Sequence, residues 1–392
     1  MRVLTFSTLY PNVAQPSHGI FVENRLRHLV ASAQVQSRVI APVPWFPFSH
    51  ARFGDYARYA KVPKEEQRHG IVITHPRYPL IPKIGMSLTP WFMAQAFLAE
   101  LKGGTNSDDF DLIDAHYFYP DGVAAAIVAK RLNKPLVITA RGTDLNLIPQ
   151  YYAPRKMILW AARQAAGLIT VCQALKDVLV DLGVAAERVT VLRNGVDLAQ
   201  FHPPKEREEL RRQLGLTGTI LLSVGHLIER KGHDLAIRAL ADLPNTRLLI
   251  AGEGPERDSL TSIVNERGLS HRVQFLGAVS QERLRDYYGA ADILILGSSR
   301  EGWANVLLES MACGTPVVAS NVWGTPEVVA APEAGVLMAS RTPEALAQAA
   351  KGLLQAYPDR AATRRYAERF SWDATTQGQL DLFSKILKGV RS

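Results

Sequence analysis

At 392 residues the chain is longer than the ~150 residues typical of one domain, so two domains are predicted. Hydrophobic residues make up 47% and charged residues 21%, which excludes a disordered chain, and no apolar run reaches the ~20 residues that a membrane-spanning helix needs. A formal net charge of +8 suits anionic lipid surfaces or anionic substrates, whereas no dense basic run or recognised motif points to nucleic acid.

Residues 1–10 carry one Arg and an apolar run but meet Pro11 at once, with no small-residue cleavage site, which argues against a signal peptide. Residues 2–7 read as the first strand and 8–19 as a loop ending in Gly19. Residues 20–32 read as a helix, with Phe21, Leu26, Leu29 and Val30 at helical spacing. A glycine just ahead of a helix lets a backbone approach a ligand closely. Residues 36–42 are a second strand. Residues 43–90 read as irregular and are rich in Pro, aromatic and basic residues, through PVPWFPFSHARFGDYARYAKVP and HPRYPLIPKIG. A long unpatterned stretch inside a domain is either a packed insert or a functional surface, here one facing an acceptor or a lipid headgroup. Residues 111–115 form a strand that delivers His116 to its C-terminal end, ahead of YFYPDG and an Ala-rich helix. Residues 135–139 are the next strand, followed by ARGTDLN. Two further strands, 168–171 and 189–192, precede the turn pair Asn194-Gly195 and a polar link over 198–217. Cys172 and Cys313, the only cysteines, sit in apolar stretches and read as reduced core thiols of a cytoplasmic protein.

The second half restarts the alternation of strand and helix. Residues 219–224 are a strand, followed by GHLIERKGHD and a helix over 235–243. Strands at 247–251 and 275–278 follow, the first running into GEGPER. Residues 293–296, ILIL, read as a buried parallel strand bounded by Gly297. A polar turn over 298–302 leads to a helix over 305–312, with Gly314 as its C′ residue. Residues 316–319 are another strand, and Thr325-Pro326-Glu327 reads as an N-cap and a first-turn proline. Residues 343–370 are helical, and Ser371 or Asp373 caps a last helix over about 373–388. Such sheets bind ligands at the C-terminal ends of their strands.

Three side chains stand out there. Glu301 lies in the polar turn, and Asn305 and Glu309, four apart, share one helix face. Free amides at 304–307 attract phosphate, and a carboxylate suits a vicinal diol because each oxygen accepts one hydroxyl. Phosphate donors flanked by carboxylates suggest a nucleotide-sugar. No cluster with metal-ligand spacing appears.

The string EGWANVLLESMACGTPVVAS followed by GTPEVV resembles the Glu-x7-Glu signature of retaining glycosyltransferases with two Rossmann-like domains, the GT-B fold, and in particular glycosyltransferase family 4. The resemblance covers most of the chain and is densest over about 220–330. It implies an α/β architecture of two Rossmann-like domains facing a central cleft: residues 1–197 on the acceptor side, joined by a last helix over about 374–392, and residues 198–373 holding the donor. In this pattern Glu301 holds sugar hydroxyls and Glu309 the ribose diol. The backbone from Gly302 through Trp303, Ala304, Asn305 and Val306 meets the diphosphate. Lys231 offsets the charge of the leaving group, which needs a cation when no metal is present. The family places Gly-Arg, four intervening residues and then Lys-Gly; here Lys231 and Gly232 match, His226 replaces the Arg, and Arg230 compensates. Gly254 marks a strand end near the nucleotide, and Val279 meets the base through its backbone.

On the acceptor side, His116 matches the His of an HAHY-like motif that contacts the donor sugar, with Asp114 in place of the first His. Gly142, Thr143 and Asp144 match His-Gly-Ser/Thr-Asp, with Arg141 in place of His; Arg141 pairs with an anionic acceptor or simply with Asp144. The Gly19 loop corresponds to one that closes over donor phosphate and acceptor, reduced here to His18-Gly19.

The expected reaction moves a hexosyl group from a nucleotide-diphospho-sugar, uridine ahead of guanosine, to a hydroxyl of a lipid-linked or polysaccharide acceptor at the inner face of a membrane. No feature identifies a nucleophilic carboxylate, so front-face attack assisted by the leaving phosphate is expected, with no cofactor and no metal. Two alternatives are a nucleotide-sugar epimerase, which converts donor without acceptor, and a non-catalytic nucleotide-sugar-binding protein, against which Glu301, Glu309 and Lys231 speak.

Overall fold

In this computed structural model the described residues are 1–50, 52, 54, 56–80, 87–104 and 109–391. They form two compact units, Met1–Asn194 with Asp373–Ser392, and Gly195–Trp372.

The first unit is built on an eight-stranded sheet. Its strands in chain order are β1 Arg2–Phe6, β2 Gln36–Ile40, β3 Glu65–Arg68, β4 Ile71–Thr74, β5 Leu112–His116, β6 Leu136–Ala140, β7 Gly167–Thr170 and β8 Val189–Val191. Across the sheet they run β8-β7-β6-β5-β1-β2-β4-β3, and every pair is parallel except β3 with β4. Strands β5, β6 and β7 are buried at every position, as expected of strands covered on both faces. The last helix, Trp372–Arg391, belongs to this unit through Leu380 and Phe383. Both lie in one cluster with Leu26, Val39, Leu112 and Val137. Burial of Phe383 alone contributes on the order of 2–3 kcal/mol.

The stretch 43–90 is not irregular throughout. It holds the helix Tyr56–Lys61 and the hairpin β3–β4, whose turn at His69 and Gly70 takes positive φ at both residues, 50° and 78°. A two-residue ladder also joins Val43–Pro44 to Arg77–Tyr78. Strand β3, Glu-Glu-Gln-Arg, carries charge because it is the sheet edge. That composition hides it from a hydrophobic pattern. Ala51, Phe53, Asp55 and residues 81–86 of the stretch lie outside the described residues. A further helix, Thr89–Gly104, follows it.

The second unit carries a six-stranded sheet: β9 Thr219–Val224, β10 Thr246–Ala251, β11 Val273–Gly277, β12 Ile293–Leu296, β13 Val317–Ser320 and β14 Gly335–Met338. The order is β11-β10-β9-β12-β13-β14, all parallel. This is the doubly wound order in which the direction of winding reverses between β9 and β12, and ligand crevices open at the C-terminal ends of those two strands. Leu221, Ile237, Leu240, Leu248, Ile293, Ile295, Val318 and Leu346 fill its core.

Two local readings are corrected here. Thr325 is the first residue of the short helix Thr325–Val328 and Gly324 stands at its cap, so Thr325 does not cap it. Residues 343–370 are two helices, Pro343–Gln355 and Arg360–Glu368. Pro358 separates them, and the Asp359 side chain accepts from the amides of Ala361 and Ala362 to start the second.

Candidate active site

At the reversal point of the second sheet, the loops after β9 and β12 touch backbone to backbone. Gly232 takes φ 68°, and a Cβ there would lie 2.1 Å from the Gly297 carbonyl oxygen, so only glycine lets the loops close to this distance. The contact is fastened on both sides. Ser299 N–H donates to the Arg230 carbonyl at 2.8 Å, the Arg230 guanidinium to the Arg300 carbonyl at 2.6 Å, and the Arg341 guanidinium to the Gly297 carbonyl at 2.8 Å.

This fastening brings Lys231 and Glu301 together. Lys231 Nζ donates to Glu301 Oε1 at 2.7 Å, Ser298 Oγ donates to the same oxygen at 2.7 Å, and Arg230 Nη1 stands 3.7 Å from it. Glu301 is buried. Burial pushes its carboxyl up, but the Lys231 and Arg230 charges and the hydrogen bonds from Lys231 and Ser298 outweigh it and hold it below the usual carboxylate range. Glu301 is therefore an ionised acceptor with one oxygen committed. Its Oε2 takes no hydrogen bond among the described residues.

The helix Asn305–Ala312 follows directly, with Ala304 at its cap. Asn305 N–H returns to the Trp303 carbonyl and Leu307 N–H to that of Ala304. Gly302, Trp303 and Ala304 are buried, and the Trp303 ring packs on Phe370 at 6.0 Å between centroids. Glu309 is half-buried one turn beyond Asn305, and its Oε2 accepts from the Tyr288 hydroxyl at 2.9 Å. Burial raises the Glu309 carboxyl to about 7 against the lowering effect of that hydrogen bond.

The glycines of GEGP have a packing reason. A Cβ on Gly252 would lie 1.9 Å from the Gly225 carbonyl oxygen, and one on Gly254 2.4 Å from that of Leu227. These positions let the loops after β9 and β10 interlock. His226 is exposed, and Val279 is half-buried just beyond β11, where Ser280 caps the following helix.

The first unit gathers a second buried set at the ends of its own strands. His116 Nε2 lies 3.2 Å from Asp114 Oδ2, and Arg141 Nη2 lies 2.5 Å from His116 Nδ1. Because Arg only donates, Nδ1 is the acceptor and Nε2 carries the proton toward Asp114. Burial lowers His116 to about 4, with the Asp114 charge opposing and the Arg141 charge assisting, so the ring is neutral. The network extends both ways. Arg141 Nη1 donates to Asn194 Oδ1 at 3.1 Å, and Gln379 joins Asp114 at 2.9 Å to Arg25 at 2.9 Å.

Both ring nitrogens of His116 are engaged by protein groups, Nε2 by Asp114 and Nδ1 by Arg141. One expectation changes here. Arg141 does not pair with Asp144 through its side chain: the Asp144 carboxylate accepts the backbone N–H groups of Arg141, Gly142 and Phe118. The Arg141 guanidinium goes instead to His116 and Asn194, over the Phe21 ring. Gly19, at φ 67°, packs where a Cβ would lie 2.3 Å from the Leu9 carbonyl, which accounts for the glycine without a ligand.

Sequence reasoning missed Ser298, Tyr288 and Asp121. Ser298 lies three residues before Glu301 in a turn that reads as solvated. Tyr288 reads as a core aromatic. Asp121 follows a proline in YFYPDG and ties the loop after β1 to that after β5, accepting from Thr8 N–H at 2.7 Å. Burial pushes it up to about 8, opposed by its hydrogen bonds from Thr8.

Comparison with known proteins adds to this geometry. The family model described as Glycosyltransferase Family 4 matches residues 20–200, and that described as Glycosyl transferases group 1 matches residues 206–370. The teichuronic acid biosynthesis glycosyltransferase TuaC of Bacillus subtilis is 30% identical over 360 residues, spanning 89% of this chain and 88% of its own. The D-inositol 3-phosphate glycosyltransferase of Acidothermus cellulolyticus is 33% identical over 315 residues, 72% of this chain and 69% of its own. Among solved structures, the sucrose-phosphate synthase of Thermosynechococcus elongatus superposes with a TM-score of 0.79 at 21% identity, over 99% of this chain and 100% of its own. HepE of Anabaena, solved with UDP and glucose, superposes at 0.73 and 22% identity, over 98% of this chain and 100% of its own. At these identities the structural likeness establishes the fold, two α/β domains of the GT-B type.

Proposed function

Because this chain belongs to glycosyltransferase family 4, we propose that it moves a sugar from a nucleotide-diphospho-sugar to a hydroxyl of a lipid-linked or polysaccharide acceptor, with retained anomeric configuration and without a metal. The observation that carries this reading is the Lys231–Glu301 pair at 2.7 Å, set at the reversal point of the second sheet with Arg230 beside it. Bound donor replaces Glu301 as the partner of the Lys231 ammonium with the departing diphosphate, where charge builds up in the transition state. Glu301 turns its uncommitted oxygen to the sugar hydroxyls, and the helix start at Asn305 adds amide donors for phosphate. Glu309 takes the ribose diol. Arg230 supports the charge role left by His226.

A uridine donor is favoured over a guanosine one, in keeping with the UDP and UDP-glucose complexes of HepE. A polymer or lipid-linked acceptor is favoured by the teichuronic acid assignment of TuaC. Contact with an anionic membrane at its inner face is supported by the exposed Trp45, Phe48, Tyr56, Leu88 and Trp91, together with the exposed Arg52, Arg58 and Lys61. Aromatic rings suit the interface and basic side chains suit its surface charge. No helix among the described residues is long and apolar enough to cross a membrane.

The test is a product assay. Purified protein is offered UDP- and GDP-sugars with and without a diphosphate-lipid-linked saccharide, in the presence of chelator and of anionic vesicles. Donor consumption that requires the acceptor, and a product that keeps the donor's anomeric configuration by NMR, are expected. Donor conversion without acceptor, or inversion, overturns the reading. Transfer only to small soluble sugars, with no binding to the vesicles, overturns its lipid-linked part.

A further inference from the structure

Glu309 can receive a ribose only if its carboxylate is held still and turned outward, and the fold supplies a dedicated group for this. Tyr288 lies on the helix Gln281–Ala290 and is completely buried. Its ring sits edge-on to Phe201 at 6.0 Å, and its carbonyl accepts from Thr315 Oγ1 at 2.5 Å. Backbone and ring are both fixed, so the hydroxyl has one direction to point. Its single proton goes to Glu309 Oε2 at 2.9 Å. Glu309 Oε1 accepts nothing among the described residues. The carboxylate is thus tethered by one oxygen and open at the other.

We propose that Tyr288 is a positioning residue for recognition of the nucleotide's ribose: by holding Glu309 Oε2, it aims Glu309 Oε1 at the vicinal diol and so lets this site tell a ribonucleotide from its 2′-deoxy counterpart. A carboxylate free to rotate offers its oxygens in many directions, and much of the directional gain is lost to ordering on binding. One tethered by a buried phenol has that ordering built in. The tether also changes the way a diol is met. Both oxygens are not equally available, so Oε1 takes the stronger bond and Oε2 contributes only its remaining lone pair.

This rests on the donor-site reading above, and the experiment separates the two. The full chain is titrated calorimetrically with UDP and 2′-deoxy-UDP, and with GDP and 2′-deoxy-GDP, as wild type and as Tyr288→Phe. The wild type should prefer its ribonucleotide by about tenfold, the scale of one hydrogen bond to a charged group. Tyr288→Phe should reduce that preference to about threefold or less while leaving the affinity for the 2′-deoxy form within about twofold. A merely structural role weakens both forms alike. Parallel weakening, or an unchanged preference, overturns the inference and leaves the donor site standing. A wild type that binds none of the four nucleotides overturns the donor-site reading itself, and one that binds them without preference overturns the ribose role of Glu309 and the inference with it. Should Tyr288→Phe fail to fold, the Tyr288 ring-carbon resonance of the wild type decides. It should shift with the ribonucleotide and not with the 2′-deoxy form, and equal shifts overturn the inference.

Discussion

Lys231 Nζ and Glu301 Oε1, 70 residues apart in the chain, meet at 2.7 Å with both side chains largely shielded from water. Removing one member of such a pair costs more than the pair is worth, because the other charge stays buried without its counter-ion. Lys231→Ala should therefore cost about 3 kcal/mol of stability in urea titration, and turnover should fall by about 10²–10³ because the cation at the leaving group is gone. Lys231→Met with Glu301→Gln should recover most of the stability and none of the turnover. A single variant as stable as the wild type would show that the pair is not the buried unit the geometry describes.

The two loops that carry this pair close only because of Gly232. Gly232→Ala places a methyl group against the Gly297 carbonyl in a left-handed conformation. The conformation alone costs about 1–2 kcal/mol, and the clash adds to it by forcing the loops apart. Gly183, also left-handed at φ 92°, has nothing within 4 Å of the position a Cβ would take. Gly183→Ala should show the conformational cost only, in the same ~1–2 kcal/mol range. Thermal unfolding of the two variants side by side measures the difference, and only Gly232→Ala should also impair turnover.

The parts of the fold that were legible are those where a strand is buried on both faces and a loop follows it directly. Ile293–Leu296 announces itself by continuous apolar sequence and Thr219–Val224 by a mostly apolar one, and Glu301 and Lys231 follow them within a few residues. Strand β3 was not legible because a sheet edge selects for charge, so its four residues carry no hydrophobic pattern. The partners of the site were not legible either. Arg141 engages His116 and Asn194 rather than Asp144, and Arg25 reaches Gln379 across 354 positions. Nothing local in either sequence neighbourhood specifies such a choice. Tyr288 was hidden for another reason: a buried tyrosine reads as core until the carboxylate that its hydroxyl serves is known.

The neutral histidines set an acid limit on stability. His116 and His233 are both lowered to about 4, chiefly by burial. The unfolded chain takes up these protons first, near the ordinary histidine range of ~6.5. Stability from keeping them neutral is thus fully present above that range and is lost as pH falls toward about 4. His233 is held by Ser223 Oγ at 2.8 Å from its Nδ1, so glutamine can keep part of its bonding. The variant His116→Gln with His233→Gln should show a shallower loss of stability between pH 6.5 and 4 than the wild type. Equal slopes in acid titration followed by circular dichroism would place the titrating groups elsewhere.

Glu309 predicts a pH dependence of donor binding closer to neutrality. Its carboxyl is raised to about 7 by burial, so near neutrality a fraction of the free protein carries a proton there. A protonated carboxyl has fewer acceptor positions for a diol and must expel the proton to use them. Affinity for the nucleotide should therefore fall as pH drops through about 7, with proton release on binding in that window. Stability runs the other way: a folded value above the unfolded one favours folding at low pH, and that contribution is lost as pH rises toward about 7. Glu309→Gln should bind the nucleotide more weakly at pH 8 and show affinity independent of pH across the same window, because glutamine keeps one acceptor and cannot titrate. Calorimetry in buffers of different ionisation enthalpy reads the proton release directly. Its absence in the wild type would mean that Glu309 does not meet the ribose as an ionised acceptor.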